Sequence, residues 1–337
     1  MSRLGDTLFF ETPVHVQTWA AAVGTKEGQG PLGKCFDHVT RDNRFGKKTW
    51  EQAESRMVEL ACEAALSKAD LTLSRIDCAL GGDLLNQCIS TGFAARGLGL
   101  PYLGLYGACS TMAQSLLTCA MMVDGGYAKQ AVAMTSSHFA SSERQYRFPL
   151  GYGGQRTPTA QWTVTGAGAA LIGATGEGPV IESCTIGTVT DLGIKDANNM
   201  GAAMAPAALS TIMAHMEDLS VAPGDFDRII TGDLGKLGKE ALLALASAEG
   251  LELEEKLDDC GTMVFDLQTQ DVNSGGSGCG CSAITLCGHL LEQIKTKKWS
   301  RILFCGTGAL LSPTSTQQGL PVPGICHAVS ITAGGDR

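Results

Sequence analysis

Thirteen of the 337 residues are cysteines, and one of them stands where a thiol can do chemistry. In LGLYGACSTMAQSLLTCAMMVDGG (103–126) an apolar strand runs into Gly107 and Ala108, then Cys109, then a helix whose apolar stripe includes Met112, Leu116, Leu117 and Met121. A cysteine at a helix N-terminus meets unpaired N–H groups and the positive end of the helix dipole, which favour thiolate and make a nucleophile for thioester chemistry. The competing reading is a small buried thiol filling the core. A second cluster, SSHFASSERQYRFP (136–149), carries His138, Arg144, Tyr146 and Arg147, with Arg156 shortly after in GGQRTPTAQW. Cationic forks, hydroxyl donors and aromatic surface together suit a flat, carboxylated ligand; as a solvated loop the same residues are ordinary surface charge.

Metal sites are not expected. The C-x-C-x₅-C spacing of Cys279, Cys281 and Cys287 lacks a paired C-x₂₋₄-C arrangement and a suitable fourth ligand for zinc. The adjacent acids Asp258 and Asp259 read as solvated surface, since calcium needs six to eight oxygens that the sequence does not display together.

The elements that must position these groups follow from the pattern of apolar runs. A strand at 14–23, a helix at 49–69, a strand at 76–81, a helix at 89–97, a strand at 102–107 and a helix at 110–124 form βαβ grammar. Strands at 131–136, 163–173 and 179–187 follow, and the grammar restarts with a helix at 207–217. Laying IDCALGGDLL (76–85) over FDRIITGDLG (226–235) matches Asp77 with Asp227, Gly82 with Gly232, Asp83 with Asp233 and Leu84 with Leu234, an offset of 150 residues. KQAVAMTSS (129–137) over SRILFCGTG (300–308) needs an offset of 171, with 239–268 as the natural place for the extra residues. A repeat this long is a duplicated α/β half rather than a solenoid unit, and the expected division is 1–187 and 188–337. Neither half opens on GxGxxG or a P-loop, so dinucleotide and Walker-type nucleotide binding drop out.

Composition narrows the partners. A formal charge of −9 and a pI near 5.2 argue against nucleic acid; the basic run Arg41, Arg44, Lys47 and Lys48, interleaved with Asp42, reads as surface. The odd cysteine count and an opening without a basic-then-apolar leader predict reduced thiols inside a cell. No run of about 18 apolar residues exists to span a bilayer, so membrane association would come through partners.

The duplicated half, the turn GACSTM (107–112), the late strand ending CGTGALLS (305–312) and the length together resemble the thiolase superfamily of thiolases and β-ketoacyl synthases. That resemblance implies two similar βαβαβαββ-like halves in a five-layered α-β-α-β-α arrangement, Cys109 at the nucleophile position, and a homodimer formed by antiparallel pairing of 102–107 across a two-fold. Condensing members take two polar helpers from the second half, usually His with Asn or a second His. The first belongs on the loop after the strand 228–231, here Thr231-Gly232-Asp233-Leu234-Gly235; adding 171 to 109 puts Gly280 at the second. His289 falls inside the following helix as packing, and Cys305 stands near the second cysteine of thiolases.

Five strings, EGQGPLGKCFD (27–37), DNRFGKKTWEQAE (42–54), GACSTM, TAQWTVTGAGA (159–169) and NNMGAAMAPAA (198–208), resemble the stage V sporulation AD family of endospore formers. This implies a non-enzymatic member, without cofactor, that binds dipicolinic acid with or without calcium and serves its passage into the developing spore. It would sit peripherally on the spore inner membrane with other membrane proteins of the stage V sporulation A operon. The ligand would meet Cys109, His138, Arg144, Arg147, Arg156, Asp233 and Gly280. The alternative is an acyltransferase or condensing enzyme that uses Cys109 on a thioester.

Overall fold

In the computed structural model, which describes residues 1–146 and 156–334, one 12-stranded sheet path runs through the whole chain. Its strands are β1 (Thr7–Val23), β2 (Cys78–Gly82), β3 (Tyr102–Gly104), β4 (Gln130–Ser137), β5 (Gly166–Gly173), β6 (Val180–Thr185), β7 (Arg228–Thr231), β8 (Leu257–Asp259), β9 (Arg301–Ala309) and β10 (Gly324–Thr332), with two short strands paired onto β1. Their spatial order is β8-β7-β9-β10-β6-β1-β5-β4-β2-β3, which reads as a pseudo-mirror about the β6–β1 junction. On one side β2 is parallel to β3 and β4, and β5 is antiparallel to β4 and β1. On the other, β7 is parallel to β8 and β9, and β10 is antiparallel to β9 and β6. The sequence repeat is therefore a topological repeat, with Asp83 and Asp233 just past the matching strands β2 and β7.

Helices complete the layers. α1 (Trp50–Lys68) and α2 (Ile89–Leu98) cover the outer face of the first half, and α5 (Met200–Leu219) and α6 (Gly235–Ala248) that of the second. Between the half-sheets lie α3 (Thr111–Asp124) and α7 (Cys279–Thr285), α3 packing on strands of both halves. The apolar core divides accordingly. Met57, Val58 and Leu66 meet Val132 and Met134 on one outside, Met204 and Ile212 meet Ile229 and Leu303 on the other, and Met112, Leu116, Ile284 and Phe304 fill the middle. This is the five-layered thiolase-like fold expected from the sequence.

Small residues make the middle layer possible. The strand β5, GAGAALIG, is buried at every position, and a Cβ on Gly168 would stand 2.6 Å from the Ala283 carbonyl oxygen of α7. The segment 239–268, expected to hold the second half's extra residues, contains most of helix α6 and strand β8, which belong to the βαβ pattern, and the start of the long connection that follows β8. Most of the extra residues fall between β8 and α7, where Asp259 to Cys279 spans what Gly104 to Thr111 spans in the first half, and the rest fall between β7 and β8 and between α7 and β9. The β8–α7 stretch returns as a short strand, Gly276–Ser277, paired with Trp162–Thr163, and so brings Ser277 beside Cys109.

Candidate functional site

The turn after β3 is an elbow. Ala108 takes a left-handed φ of 49°, a conformation that costs a non-glycine residue free energy and turns up where a side chain must be presented sharply. Hydroxyls hold it: Ser110 Oγ donates to the Gly107 carbonyl at 2.6 Å, Thr111 Oγ1 donates to the Ala108 carbonyl at 2.6 Å, and the Gly107 N–H donates to Thr111 Oγ1 at 3.2 Å. Cys109 emerges at the head of α3, 5% exposed, into a cavity of about 40 Å³.

Asp233 is what the second half sets against the thiol. The loop after β7 brings in its carboxylate, fully buried. It accepts from the Gly278 N–H at 2.8 Å, from Thr307 Oγ1 at 2.9 Å and from Ser277 Oγ at 3.3 Å, and the Cys109 thiol donates to it as well. Burial pushes the Asp233 carboxyl up to about 7 in spite of these donors. Burial first, and the Asp233 charge and hydrogen bond second, hold the Cys109 thiol well above its ordinary value, although the backbone N–H groups of Gly278 and Ala309 oppose the shift. A thiol in this setting stays protonated at neutral pH, the reverse of the helix-terminus activation expected from position alone. The position where condensing enzymes hold an imidazole carries a group that stabilises the thiol instead of the thiolate.

Cys109 and Asp233 are brought together; His138, Arg144, Arg156 and Gly280 are not in the lining of the cavity. His138 is buried with both ring nitrogens used, Nε2 against the Asn43 carbonyl at 2.9 Å and Nδ1 accepting from the Ala140 N–H at 3.1 Å. Burial lowers it to about 4, so it is a neutral support for the start of α4 (Phe139–Tyr146). Arg144 is exposed and pairs with Glu51. Arg156 lies on the Trp162 ring at 4.6 Å and pairs with Asp271 at 2.6 Å. Arg147 falls outside the described residues. Gly280 is a packing position: a Cβ there would stand 2.5 Å from Ser137 Oγ and 2.6 Å from the Gly166 carbonyl oxygen. Its neighbour Cys279 is the residue that packs with Cys109 and Leu84. His289 packs edge-on to Trp299, and Cys305 is buried in β9 within the outer core of the second half.

Asp259 corrects the reading of its pair as solvated surface. Asp258 pairs with Arg228, but Asp259 is buried and accepts from the N–H groups of Leu234, Gly235 and Thr262 and from Thr231 Oγ1, fixing the loop that carries Asp233. Among the described residues no cluster of three or more His, Cys, Asp or Glu is placed to hold a metal ion.

Sequence reading missed the rest of the pocket wall. Ser142 and Glu143 of α4, with Thr163 donating to Glu143 at 2.9 Å, line the cavity, as do Tyr106 and Tyr146, whose hydroxyls are 2.9 Å apart. Beyond the two tyrosines lies an outer cavity of about 320 Å³ walled by Asn86, Gln87 and Ser312. In the sequence Tyr146 is one member of its segment, and no spacing rule links Tyr106 to it across forty residues.

A family model described as stage V sporulation protein AD (SpoVAD) matches residues 5–332. The stage V sporulation protein AD of Bacillus subtilis (strain 168) is 44% identical over 324 residues, covering 96% of this chain and 96% of that protein. Among solved structures, cerulenin-bound OleA of Xanthomonas campestris aligns with a TM-score of 0.59 at 15% identity, covering 98% of this chain and 100% of its own. The 3-oxoacyl-(acyl carrier protein) synthase III, FabH, of Xanthomonas oryzae pv. oryzae aligns with a TM-score of 0.60 at 14% identity, covering 96% and 100%. At these identities the likeness to the two enzymes is one of fold.

Proposed function

The chain belongs to the stage V sporulation protein AD family, and from that premise we propose that it is a non-catalytic binding protein for dipicolinic acid, serving the acid's passage into the developing spore. The observation that carries the non-catalytic half of this reading is Asp233. Burial, reinforced by this carboxylate, holds the Cys109 thiol in the neutral form, and a condensing reaction needs both a thiolate and a donor for the developing oxyanion. The described lining of the two cavities contains the carboxylate Glu143 and no cation. A free dianion is poorly matched to such walls, so the electroneutral calcium chelate is the form this reading favours.

Acyl transfer is the second reading, favoured by one feature: the N–H groups of Gly278 and Ala309 face the sulfur, as donors would to a thioester oxygen. Calorimetric titration of the purified chain with dipicolinate, calcium dipicolinate and acetyl-CoA separates the two. The expected result is heat with calcium dipicolinate, weaker binding of the free acid, and no acylation of Cys109; a stable acyl-cysteine with acetyl-CoA and no heat with either dipicolinate form would reverse the choice.

The same reading has the chain act as a homodimer beside membrane proteins of its operon, peripheral to the spore inner membrane. Among the described residues no helix is long and apolar enough to cross a membrane. The strand β3 ends the sheet, and Ile89, Phe93, Leu103 and Tyr106 are 40–48% exposed along that edge, an apolar face with free backbone groups that a second copy would cover. Light scattering at micromolar concentration should return twice the 35.1 kDa chain mass, and Leu103→Lys should halve it; a monomeric wild type refutes the dimer.

A further inference from the structure

The loop before α1 carries charge of the sign opposite to that of the chain as a whole. Its cations, Arg41, Arg44, Lys47 and Lys48, read in the sequence as surface, and the structure sets them on a built spur. Phe45 and Gly46 take successive left-handed φ values of 50° and 71°. The Phe45 N–H donates to the Asp42 carbonyl at 2.9 Å and the Lys47 N–H to the Arg44 carbonyl at 2.8 Å, so the tip is a tight double turn. Its base is pinned to the body: the Asn43 carbonyl lies 2.9 Å from His138 Nε2, and Asn43 Oδ1 accepts from the Thr25 N–H at 2.9 Å. Arg44 lies on the Trp50 ring at 3.9 Å and donates to the Lys48 carbonyl at 2.6 Å, which leaves Arg41, Lys47 and Lys48 exposed at the surface.

Beside the spur a groove of about 490 Å³ runs between α1 and α2, with Lys47 and Arg96 in its lining. The two carboxylates of the groove are already matched, Glu51 by Arg144 and Glu59 by Arg56, and Asp42 accepts from the Arg44 N–H at 3.1 Å. Among the described residues none of Arg41, Arg44, Lys47, Lys48 and Arg96 makes an ion pair. Like charges gathered without counter-charges are held apart from their ideal only by water and salt, and a surface of opposite sign supplies what the protein withholds. The rest of the chain selects that surface. At a net charge of −9 a polyanion that wraps the protein is repelled, whereas a flat anionic surface can meet the spur with the acidic faces turned away. Ile89 and Phe93 border the same groove and belong to the face given above to a second copy, so a dimer brings two spurs and gains avidity.

Resting on the reading that the protein sits peripherally on a membrane, we infer that the 41–48 spur, together with Arg96, is the face that meets the bilayer, and that its partner there is the anionic phospholipid headgroup. Membrane contact is then direct and electrostatic, made by the protein's own cations in addition to any neighbouring membrane protein. Each cation brought to an anionic surface contributes about fivefold in partitioning, so the loss of two is large enough to read.

Sedimentation of the full chain with vesicles tests this, using phosphatidylcholine alone and phosphatidylcholine with about one third phosphatidylglycerol, at about 0.1 M and about 0.5 M salt. The expected result is retention on the anionic vesicles at low salt, little on the neutral ones, and release at high salt. Lys47→Gln combined with Lys48→Gln should weaken retention at least tenfold and Arg96→Gln about fivefold. Lys297→Gln combined with Lys298→Gln removes the same charge from exposed lysines before β9 and should change retention less than twofold. Equal losses in the two double variants would mean that net charge alone decides, and the spur would fall. Retention lost only in the 297 and 298 variant would uphold the peripheral reading and move the membrane face elsewhere, overturning the inference. Retention on both kinds of vesicle, unmoved by salt, would make the contact apolar and overturn it as well. Retention on neither would remove lipid as the partner.

Discussion

Replacing Asp233 with asparagine should raise the rate of Cys109 alkylation at pH 8 at least tenfold, and by more if the variant thiol finds its N–H donors unopposed. At that pH the Asp233 carboxyl, pushed up to about 7 by burial, is ionised and bonded to the thiol. Two charges about 4 Å apart interact by roughly 4 kcal/mol at an effective dielectric of 20, and each 1.36 kcal/mol is one pKa unit and a tenfold change in thiolate. Asparagine keeps the side-chain oxygen for the Gly278 N–H and removes the charge. The Gly278 and Ala309 N–H groups, which already favour thiolate, then act without an opposing charge, the Gly278 N–H being shared with the side chain at 233. Labelling of the Cys109 peptide against time, at pH 6.5 and pH 8, is the measurement. The ratio of variant to wild-type rate should be larger at pH 8, because below pH 7 the wild-type carboxyl is itself neutral. A ratio near one at both pH values would mean that access alone controls the thiol, and Asp233 would lose its place in the argument against condensation.

The residues that could be read from sequence were those whose meaning is local. Strand, Gly107, Ala108, Cys109 and helix lie together in the chain, so the elbow was legible. Asp233 was legible as well, because the repeat places it a fixed distance after β7 and the position asks for an imidazole. Gly280 misses for a definable reason: the offset of 171 belongs to the strands 129–137 and 300–308, and the stretch from Cys279 to Arg301 is three residues longer than that from Thr111 to Gln130, so the helix starts differ by less. The residues facing Cys109 are Ser277 and Cys279 instead. Arg144 and Arg156 lie off the cavity for another reason. Residue type suggested anion contacts, but Glu51 and Asp271, distant in sequence, take Arg144 and Arg156 as partners. The tyrosine wall was out of reach for the same reason, since Tyr106 and Tyr146 meet only when β3 and α4 are laid side by side.

Stability should fall steadily as pH rises from 6.5 to 8 and more steeply beyond about 8.5. Three fully buried carboxyls carry the first part. Glu54, held by Ser136 Oγ at 3.1 Å and Ser141 Oγ at 2.9 Å, is pushed up to about 8 by burial and by Asp83, and burial takes Glu27 and Asp233 to about 7. In the unfolded chain these groups ionise near their ordinary values, so above those values the native state binds more protons and loses stability as pH rises, until its own pKa is passed. The buried imidazoles act with the opposite sign: His138 and His215, lowered to about 4 by burial, cost stability as pH falls below about 6.5. Between 4.5 and 6.5 the two sets offset each other. From 6.5 to 8 the carboxyls dominate, the last of the imidazole titration offsetting a small part, and the loss is on the order of 3 kcal/mol. Above 8.5 the thiols of the unfolded chain begin to ionise, while Cys62, Cys184, Cys260 and Cys287 in the native core are all held higher by burial, so each adds to the slope. Urea midpoints under reductant at pH 6.5, 8 and 9.5 measure this, with Glu54→Gln expected to flatten the first interval. Midpoints that are level or rise between 6.5 and 8 would show these carboxyls ionised in the folded protein, and Asp233 among them would then be a charge at neutral pH.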